Sequence, residues 1–155
     1  MRIGIGFDVH PFMEGRPLVL GGVRIPHERG LDGHSDADVL LHALCDALLG
    51  AAGEGDIGLH FPNTDPRYRG IDSRELLAHC RELVEKKGFR IVNVDGVVMA
   101  ERPKILPHVP DMIKNISETL AVDPRSINLK ATTCEGLGFI GREEGIAAQA
   151  VCLLE

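Results

Sequence analysis

The sequence predicts an α+β fold, a two-layer sandwich in which helices cover one face of a mixed four-stranded β-sheet, with a short β-hairpin added. Two observations predict it. Strand-like alternation and helical periodicity follow one another in the order β, ββ, α, α, β, α, β, β. The 155 residues also match the size of one domain, residues 1–155. Because the helices cover only one face, a second copy of the chain could cover the other.

The N-terminal third supplies a strand, the hairpin and a helix. Ile3 begins an alternation with glycines that ends near Asp8. Two short apolar runs around a Gly-Gly pair predict the hairpin, Leu18–Leu20 with Val23–Ile25. Ser35 has the position of an N-cap for a first helix, with acidic residues in its first turn, and Gly53 ends that helix.

The rest of the chain supplies two helices and three strands. Residues 53–71 are rich in Gly and Pro without periodicity, which predicts a long loop, and long loops in compact domains are often functional. Asp72 and Ser73 then cap a second helix that Gly88 ends. A third helix starts near Pro107. The predicted strands run from Ile91 to Met99, from Ile127 to Thr133 and from Ile146 to Leu154.

Composition excludes several function classes. The formal net charge is −6, and the chain has one Tyr, five Phe and no Trp. It therefore lacks the basic surface and the stacking side chains that nucleic-acid binding needs. No apolar run approaches the roughly 18 residues of a membrane span, and the N-terminus has no signal-peptide pattern. The sequence predicts a cytoplasmic protein with four free cysteines, no nucleic-acid partner and no membrane partner.

A carboxylate and two imidazoles form the strongest candidate metal site. Asp8 and His10 are two residues apart on a strand, so they project to the same side. His42 lies inside the apolar run of the first helix, where its imidazole needs a hydrogen-bond partner or a metal. Two His and one Asp leave a fourth tetrahedral position open, as in catalytic zinc sites. Asp38 and Asp46 lie four residues to either side of His42, where either could orient the imidazole, or Asp38 could simply belong to the helix start.

A glycine-rich segment and a strand end give weaker signals. Residues 136–141 match G-x-G-x-x-G, but too few residues follow for a dinucleotide-binding unit. Residues 130–135 end a strand with two hydroxyls and Glu135, which is a weak indication of phosphate and Mg²⁺ binding. Lys104 and Arg142 are either phosphate-binding cations or solvated surface charges.

Several ordered stretches resemble one family, the 2-C-methyl-D-erythritol 2,4-cyclodiphosphate synthases of non-mevalonate isoprenoid biosynthesis. Their order, spacing and total length agree from end to end of the chain. The stretches are Gly6–His10, Gly21–Pro26, His34–Asp36, Leu41–Leu44, Gly55–Gly58, Asp72–Leu76, Lys130–Thr133, Leu137–Phe139 and Gly141–Arg142. Each stretch alone is weak, whereas the ordered set is highly specific.

The resemblance implies a homotrimer with active sites between subunits and with the sheets packed around the threefold axis. It implies Zn²⁺ on Asp8, His10 and His42, and Mg²⁺ or Mn²⁺ on Glu135 with the substrate phosphates. The substrate would be a cytidine diphosphate, 4-diphosphocytidyl-2-C-methyl-D-erythritol 2-phosphate, which a phosphorus–oxygen lyase would cyclise with release of CMP. The resemblance also raises an isoprenoid diphosphate on the trimer axis as a partner.

The resemblance assigns further residues to the substrate. His34 and Thr133 match positions that stabilise the transition state. The expected substrate contacts are Asp8, Val9, His10, His34 and Ser35; Asp56, Ile57, Gly58, Phe61, Pro62, Asn63, Thr64 and Asp65 for the methylerythritol part; Ala100, Glu101, Arg102, Pro103, Lys104, Ile105 and Leu106 for cytidine; Thr132, Thr133, Cys134 and Glu135 for the diphosphate; and Phe139 and Arg142 at the phosphate end.

Two positions depart from the family pattern. Asn63 stands where many members have Asp, and it can hydrogen-bond a sugar hydroxyl but lacks the charge. Cys134 stands where Thr is common. Besides the cyclising synthase, two functions stay open on the residues alone: another zinc enzyme of phosphate esters, such as a hydrolase, and a non-catalytic trimer that binds metal or isoprenoid phosphate.

Overall fold

The computed structural model describes residues 1–155 and has the predicted α+β class. Helices cover one face of a mixed five-stranded sheet with the strand order β4-β1-β7-β5-β6, and β2 and β3 form the separate hairpin. The strands are β1 Arg2–Glu14, β2 Leu18–Leu20, β3 Val23–Ile25, β4 Arg29–Leu31, β5 Ile91–Met99, β6 Ile127–Thr132 and β7 Gly145–Leu154. The helices are α1 Val39–Ala52, α2 Ile57–His60, α3 Ser73–Lys86, α4 Val109–Leu120 and α5 Gly138–Gly141. None of the helices has the length and apolarity needed to cross a membrane.

The sheet has five strands, so the prediction of four was wrong. The additional strand, β4, is only three residues long, which is too short to show an alternation. It pairs antiparallel with a part of β1 beyond the predicted end, in the register Phe12 with Leu31. At Pro11 the strand changes partner, because β7 pairs with β1 up to that residue and β4 takes over at Phe12.

The first helix begins later than predicted. Its N-cap is Asp38, not Ser35, and the Asp38 carboxylate accepts the backbone N–H of Leu41. The same carboxylate accepts the backbone N–H groups of Gly21 and Gly22 in the hairpin turn. Asp38 therefore joins the hairpin to the helix start, and these contacts decide where the helix begins.

The remaining elements agree with the sequence more closely. Asp72 caps α3 as predicted. The predicted loop over residues 53–71 contains the single-turn helix α2 and a 3₁₀ turn at Pro66–Tyr68. The third helix follows a 3₁₀ turn at Leu106–His108 and starts at Val109.

The two faces of β1 have opposite surroundings. Gly4 and Gly6 face α1 so closely that a Cβ on either would lie 1.9 Å from a carbonyl oxygen of that helix. The residues that alternate with them along β1 project to the other face and are large, apolar and exposed. They are Ile3, Ile5, Phe7 and Val9, with exposed fractions of 74%, 62%, 54% and 40%. The sheet thus has one face packed against a helix and one apolar face that this chain leaves uncovered.

Candidate functional site

Asp8, His10 and His42 converge at the junction of β1 and α1. Asp8 Oδ2 lies 3.0 Å from His10 Nε2 and 2.9 Å from His42 Nδ1. The two histidine nitrogens are 3.1 Å apart. The ligand atoms therefore form a nearly equilateral triangle, and all three side chains are at least partly buried.

The triangle fits a tetrahedral metal ion. Two ligands at 2.0–2.1 Å from a tetrahedral zinc ion are about 3.3 Å apart, a few tenths of an ångström more than the separations found. A carboxylate oxygen with two imidazole nitrogens is a donor set of catalytic zinc sites that retain an open position. The ring nitrogen of His10 that faces away from the triangle, Nδ1, lies 2.6 Å from the carbonyl oxygen of Asp32. Because a carbonyl only accepts, Nδ1 carries the proton and Nε2 offers its lone pair.

The electrostatics of the triangle favour an ionised carboxylate. Burial alone raises the pKa of Asp8, but hydrogen bonds and charge attraction from His10 and His42 outweigh it and hold the pKa well below its ordinary value. Burial lowers the pKa of His10, whereas its hydrogen bond to Asp8 and the charge of that residue raise it, and the net shift is upward. An anionic oxygen held between two imidazoles is the local charge that a divalent cation needs.

Neither of the two aspartates on α1 orients His42. Asp38 is fully buried at the helix N-cap, and burial raises its pKa to about 6. Asp46 accepts the backbone N–H of Ile57 at 2.7 Å, and burial raises its pKa as well. The far nitrogen of His42, Nε2, instead lies 3.0 Å from the hydroxyls of Ser35 and Ser73. Of the alternatives that the sequence left open, Asp38 therefore belongs to the helix start, and Asp46 holds the start of α2 instead of His42.

A pocket of about 510 Å³ opens in front of the triangle. It contains most of the residues that the sequence assigned to the methylerythritol part of a substrate. Its lining is Asp8, His10, Gly33, His34, Ser35, His42, Ile57, Gly58, Phe61, Pro62, Asn63, Thr64, Tyr68 and Leu76. We call it the metal-side pocket.

Of the contacts expected at the metal and at the methylerythritol part, three lie outside the lining of the metal-side pocket. Val9 projects to the uncovered face of the sheet. Asp56 caps α2 by accepting the backbone N–H of Leu59 at 2.9 Å. The carboxylate of Asp65 is paired with Arg67, which lowers the pKa of Asp65.

An arginine that the sequence analysis missed holds the segment around His34. Arg16 donates to the carbonyl oxygen of Gly33 at 2.7 Å and to that of Ser35 at 2.6 Å. His34 lies between them, and its Nε2 donates to the carbonyl oxygen of Asp65 at 3.1 Å. The two bonds of Arg16 connect residues 17 and 19 positions apart, and the bond of His34 connects residues 31 apart, so no local pattern signals them.

A second pocket, of about 290 Å³, lies between the segment after β5 and the end of β6. It shares no residue with the metal-side pocket. Its lining is Ala100, Glu101, Pro103, Lys104, Ile105, Leu106, Pro107, Ala131, Thr132 and Thr133. We call it the strand-end pocket, and it gathers most of the residues expected at cytidine. Arg102 lies beside it, with Nε 3.6 Å from the Glu143 carboxylate.

The turn after β6 exposes the remaining expected residues. The carboxylate of Glu101 accepts the backbone N–H of Cys134 at 2.7 Å, which ties the turn to the strand-end pocket. Thr133 Oγ1 donates to Glu135 Oε1 at 3.3 Å, and both side chains are exposed. Cys134 is half-buried. Farther on, Phe139 is 43% exposed.

The cations and the glycine-rich segment occupy the surface. Lys104 is exposed. Arg142 donates to Glu144 at 2.7 Å, so it is held by a neighbouring acid. The glycine-rich segment forms the single-turn α5 and leads into β7, which agrees with excluding a dinucleotide-binding unit.

Comparison with known proteins gives one consistent result. The model of the YgbB family matches residues 1–155. The chain is 62% identical over 155 residues to the 2-C-methyl-D-erythritol 2,4-cyclodiphosphate synthase of Chlorobium luteolum, covering 100% of this chain and 99% of that protein. It is 59% identical over 154 residues to the synthase of Agathobacter rectalis, covering 99% of this chain and 87% of that protein.

Solved structures agree with the sequence relatives. A 2C-methyl-D-erythritol-2,4-cyclodiphosphate synthase in a CDP-bound form has a TM-score of 0.91 and 43% identity, covering 99% of this chain and 100% of that one. A CDP complex of IspF from Plasmodium falciparum has a TM-score of 0.87 and 40% identity, covering 99% and 94%. The bifunctional IspDF from Campylobacter jejuni has a TM-score of 0.95 and 50% identity. The match covers 99% of this chain but only 42% of IspDF.

Proposed function

We infer the reaction from the family: the chain belongs to the YgbB family, and it is an enzyme with the activity of the 2-C-methyl-D-erythritol 2,4-cyclodiphosphate synthases it matches. The resemblance found in the sequence is thereby confirmed. The enzyme converts 4-diphosphocytidyl-2-C-methyl-D-erythritol 2-phosphate to the cyclic diphosphate and CMP, in isoprenoid precursor biosynthesis. The Asp8–His10–His42 triangle at the metal-side pocket is the observation that carries the mechanism proposed below.

The proposed chemistry is an intramolecular phosphoryl transfer. An oxygen of the 2-phosphate attacks the β-phosphorus, a new P–O bond forms, and the bond from that phosphorus to the CMP oxygen breaks with CMP as the leaving group. The nucleophile is already anionic, so the site needs no strong general base. The barrier lies in bringing two anions together in line. This reaction class is that of a phosphorus–oxygen lyase.

Two cation sites suit that task. We assign Zn²⁺ to Asp8, His10 and His42, and Mg²⁺ or Mn²⁺ to Glu135 together with substrate phosphates. When bound, the cations neutralise phosphate charge and hold the reacting groups in line. The buried donor set supports the first assignment, and an exposed single carboxylate supports the second, since Mg²⁺ is usually held by one or two carboxylates plus phosphates.

The chain's own residues then bind and orient the substrate. His34, held by its bond to the carbonyl of Asp65, faces the metal-side pocket and is assigned to transition-state stabilisation. Thr133 is assigned the same role from the strand-end pocket. The metal-side pocket takes the methylerythritol part, and the strand-end pocket takes cytidine. Residues 1–155 act in this proposal as one catalytic domain.

A homotrimer with sites between subunits is part of the proposal. Two observations support it: the uncovered apolar face of the sheet, and the division of the expected substrate contacts between two pockets that share no residue. Sedimentation equilibrium should give a mass near three times 16.8 kDa. Ile5→Lys places a charge in the uncovered face and should give folded monomers without activity. A wild-type monomer would contradict this part of the proposal.

The cytoplasmic location and an isoprenoid diphosphate on the trimer axis stay predictions. The second is checked by titrating the trimer with a short isoprenoid diphosphate and asking whether Ile5→Lys abolishes the binding. An isoprenoid diphosphate that binds the monomeric variant equally well would not lie on an axis between subunits.

The activity is tested directly by a ³¹P NMR time course. Purified protein with Zn²⁺ and Mg²⁺ is mixed with the cytidine diphosphate substrate. Equimolar CMP and a cyclic diphosphate are the expected products. Linear phosphate products would indicate a hydrolase, and unchanged substrate with zinc bound would indicate a non-catalytic binding protein.

A further inference from the structure

Ser73 and Asp36 lie behind His42, on the side away from the metal triangle. His42 Nε2 lies 3.0 Å from Ser73 Oγ. Ser73, at the start of α3, is fully buried. Its hydroxyl donates to Asp36 Oδ1 at 2.5 Å, and its backbone N–H donates to Asp36 Oδ2 at 3.1 Å. Asp36 and Ser73 are not part of the triangle itself.

The donors and acceptors give this chain of bonds a direction. A serine hydroxyl has a single hydrogen, and a carboxylate only accepts, so the hydrogen of Ser73 is committed to Asp36. Toward His42 the serine oxygen can then offer only a lone pair. His42 must therefore carry its proton on Nε2, and Nδ1 is left with a lone pair that faces Asp8 and His10.

The second hydroxyl near His42 does not set this direction. Ser35 Oγ accepts the backbone N–H of Ala37 at 3.1 Å and lies 3.0 Å from His42 Nε2. Its hydrogen has two possible acceptors, Ser73 Oγ at 3.4 Å and His42 Nε2 at 3.0 Å, and is not committed to either. Ser35 alone could face either tautomer of His42, whereas Ser73 on Asp36 permits one.

We propose that Asp36 and Ser73 are positioning residues that fix the tautomer and ring orientation of His42, so that Nδ1 is presented as a metal ligand. The proposal rests on the metal site of the proposed function and names what prepares it. His10 makes a useful contrast, since the backbone carbonyl of Asp32 orients it. No substitution removes that carbonyl, whereas the support of His42 consists of side chains and can be removed.

Zinc affinity tests the proposal without any measurement of activity. The zinc dissociation constant is measured by competition with a chromophoric chelator for the wild type, Ser73→Ala and Asp36→Asn. Each variant should bind zinc about 10- to 100-fold more weakly, the usual cost of removing a residue that supports a metal-bound histidine. In Asp36→Asn the amide can donate to Ser73, which frees the serine hydrogen for His42 and permits the wrong tautomer.

Ser117→Ala is the matched control. Ser117 is also a buried serine, 3% exposed, but its hydroxyl donates to the carbonyl of Lys114 within α4. It should lower zinc affinity by less than twofold. The double variant Asp36→Asn/Ser73→Ala should lose no more affinity than Ser73→Ala alone, because both changes act through one hydrogen bond. Additive losses would overturn the proposal.

A spectroscopic readout distinguishes positioning from a general loss of structure. In zinc-loaded protein with ¹⁵N-labelled histidine, the wild type should show a slowly exchanging Nε2–H cross-peak of His42. That peak should shift and exchange faster in Ser73→Ala, with the His10 Nδ1–H peak unchanged. If Asp36→Asn does not fold, the zinc affinity and the histidine spectrum of Ser73→Ala test the positioning role.

The zinc-binding results test the metal site and the positioning role of Asp36 and Ser73 separately. A wild type that takes up no zinc overturns the metal assignment and the positioning role with it. A wild type that binds zinc no more tightly than folded Ser73→Ala and Asp36→Asn overturns the positioning role alone and leaves the metal site standing.

Discussion

The metal-side pocket and the strand-end pocket differ in the burial and hydrogen bonding of the residues around them. Behind the first, Ser35, His42 and Ser73 are buried and hydrogen-bonded to one another within one chain. Around the second, Leu106 and Thr133 are exposed. A buried, hydrogen-bonded frame can preorganise metal ligands without a partner, whereas an exposed rim gains its enclosure only when another surface approaches.

The largest effect should come from removing a ligand of the metal-side pocket. His42→Ala should lose stoichiometric zinc and lower kcat/KM by at least about 10³-fold, since metal stabilisation of developing charge contributes several kcal/mol. Zinc content by atomic emission and the ³¹P assay measure both effects. His108→Ala, which removes an imidazole outside both pockets, is the control. Retained stoichiometric zinc in His42→Ala would contradict the assignment of His42 as a ligand.

Mixed oligomers of two variants test the proposed trimer and whether the two pockets of one proposed active site come from different chains. His42→Ala should be inactive alone, and Glu135→Ala should have little of the wild-type activity at a Mg²⁺ concentration well below half-saturation, where its second cation site is mostly empty. Random assortment of the two variants should restore about one quarter of wild-type activity, because a site between neighbours is intact only when one supplies His42 and the other supplies Glu135, in the turn that follows the strand-end pocket. If both pockets of a site belonged to one chain, the mixture would never exceed its parents.

The pockets also differ in how much of them the sequence could predict. Asp8 and His10 could be paired because strand geometry places residues i and i+2 on one side, which is local information. Ser73 and Arg16 act on residues 31 and 17 to 19 positions away, so only the folded chain reveals their roles. At the strand-end pocket, Lys104 and the hydroxyls of Thr132 and Thr133 gave only a weak indication of phosphate binding, and the other lining residues came from family resemblance alone.

The same distinction holds for the fold. The capping pair Asp72 and Ser73 predicted α3, and the alternation of apolar residues predicted β5, because capping and periodicity are local signals. The start of α1 was misplaced because backbone N–H groups of the distant hairpin converge on Asp38. The strand β4 was missed because its three residues pair with the far end of β1, which only the tertiary structure brings near.

A smaller effect should separate the two cation sites. Glu135→Gln should raise the Mg²⁺ concentration needed for half-maximal activity about tenfold, because one carboxylate is removed from a site otherwise made of phosphates. Zinc content should stay at the wild-type level. Glu118→Gln changes an exposed acid on α4 and should leave the Mg²⁺ titration unchanged. A wild-type titration curve for Glu135→Gln would argue against Glu135 as a ligand.

The last effect concerns stability, not activity, and it follows from the buried aspartate that caps α1. Burial raises the pKa of Asp38 from 3.8 to about 6, so between these values the folded state holds a proton that the unfolded chain releases. Raising the pH from 4 to 7 should therefore lower the unfolding free energy of the wild type relative to Asp38→Asn by up to about 3 kcal/mol. Urea titrations at four pH values measure that difference, in which the other titrating groups cancel.

An exposed helix cap should give a pH dependence of the unfolding free energy with the opposite sign. Asp123 caps a 3₁₀ turn, and its hydrogen bonds to Arg125 lower its pKa to about 2. Its stabilisation is present above the unfolded pKa and is lost as the pH falls, so Asp123→Asn should cost stability at pH 7 and little at pH 2, with a small amplitude because the group is exposed. If both variants changed with pH in the same direction, burial would not be what distinguishes the two caps. Opposite directions would show that burial sets the sign of the pH dependence at Asp38, whose carboxylate joins the hairpin to α1.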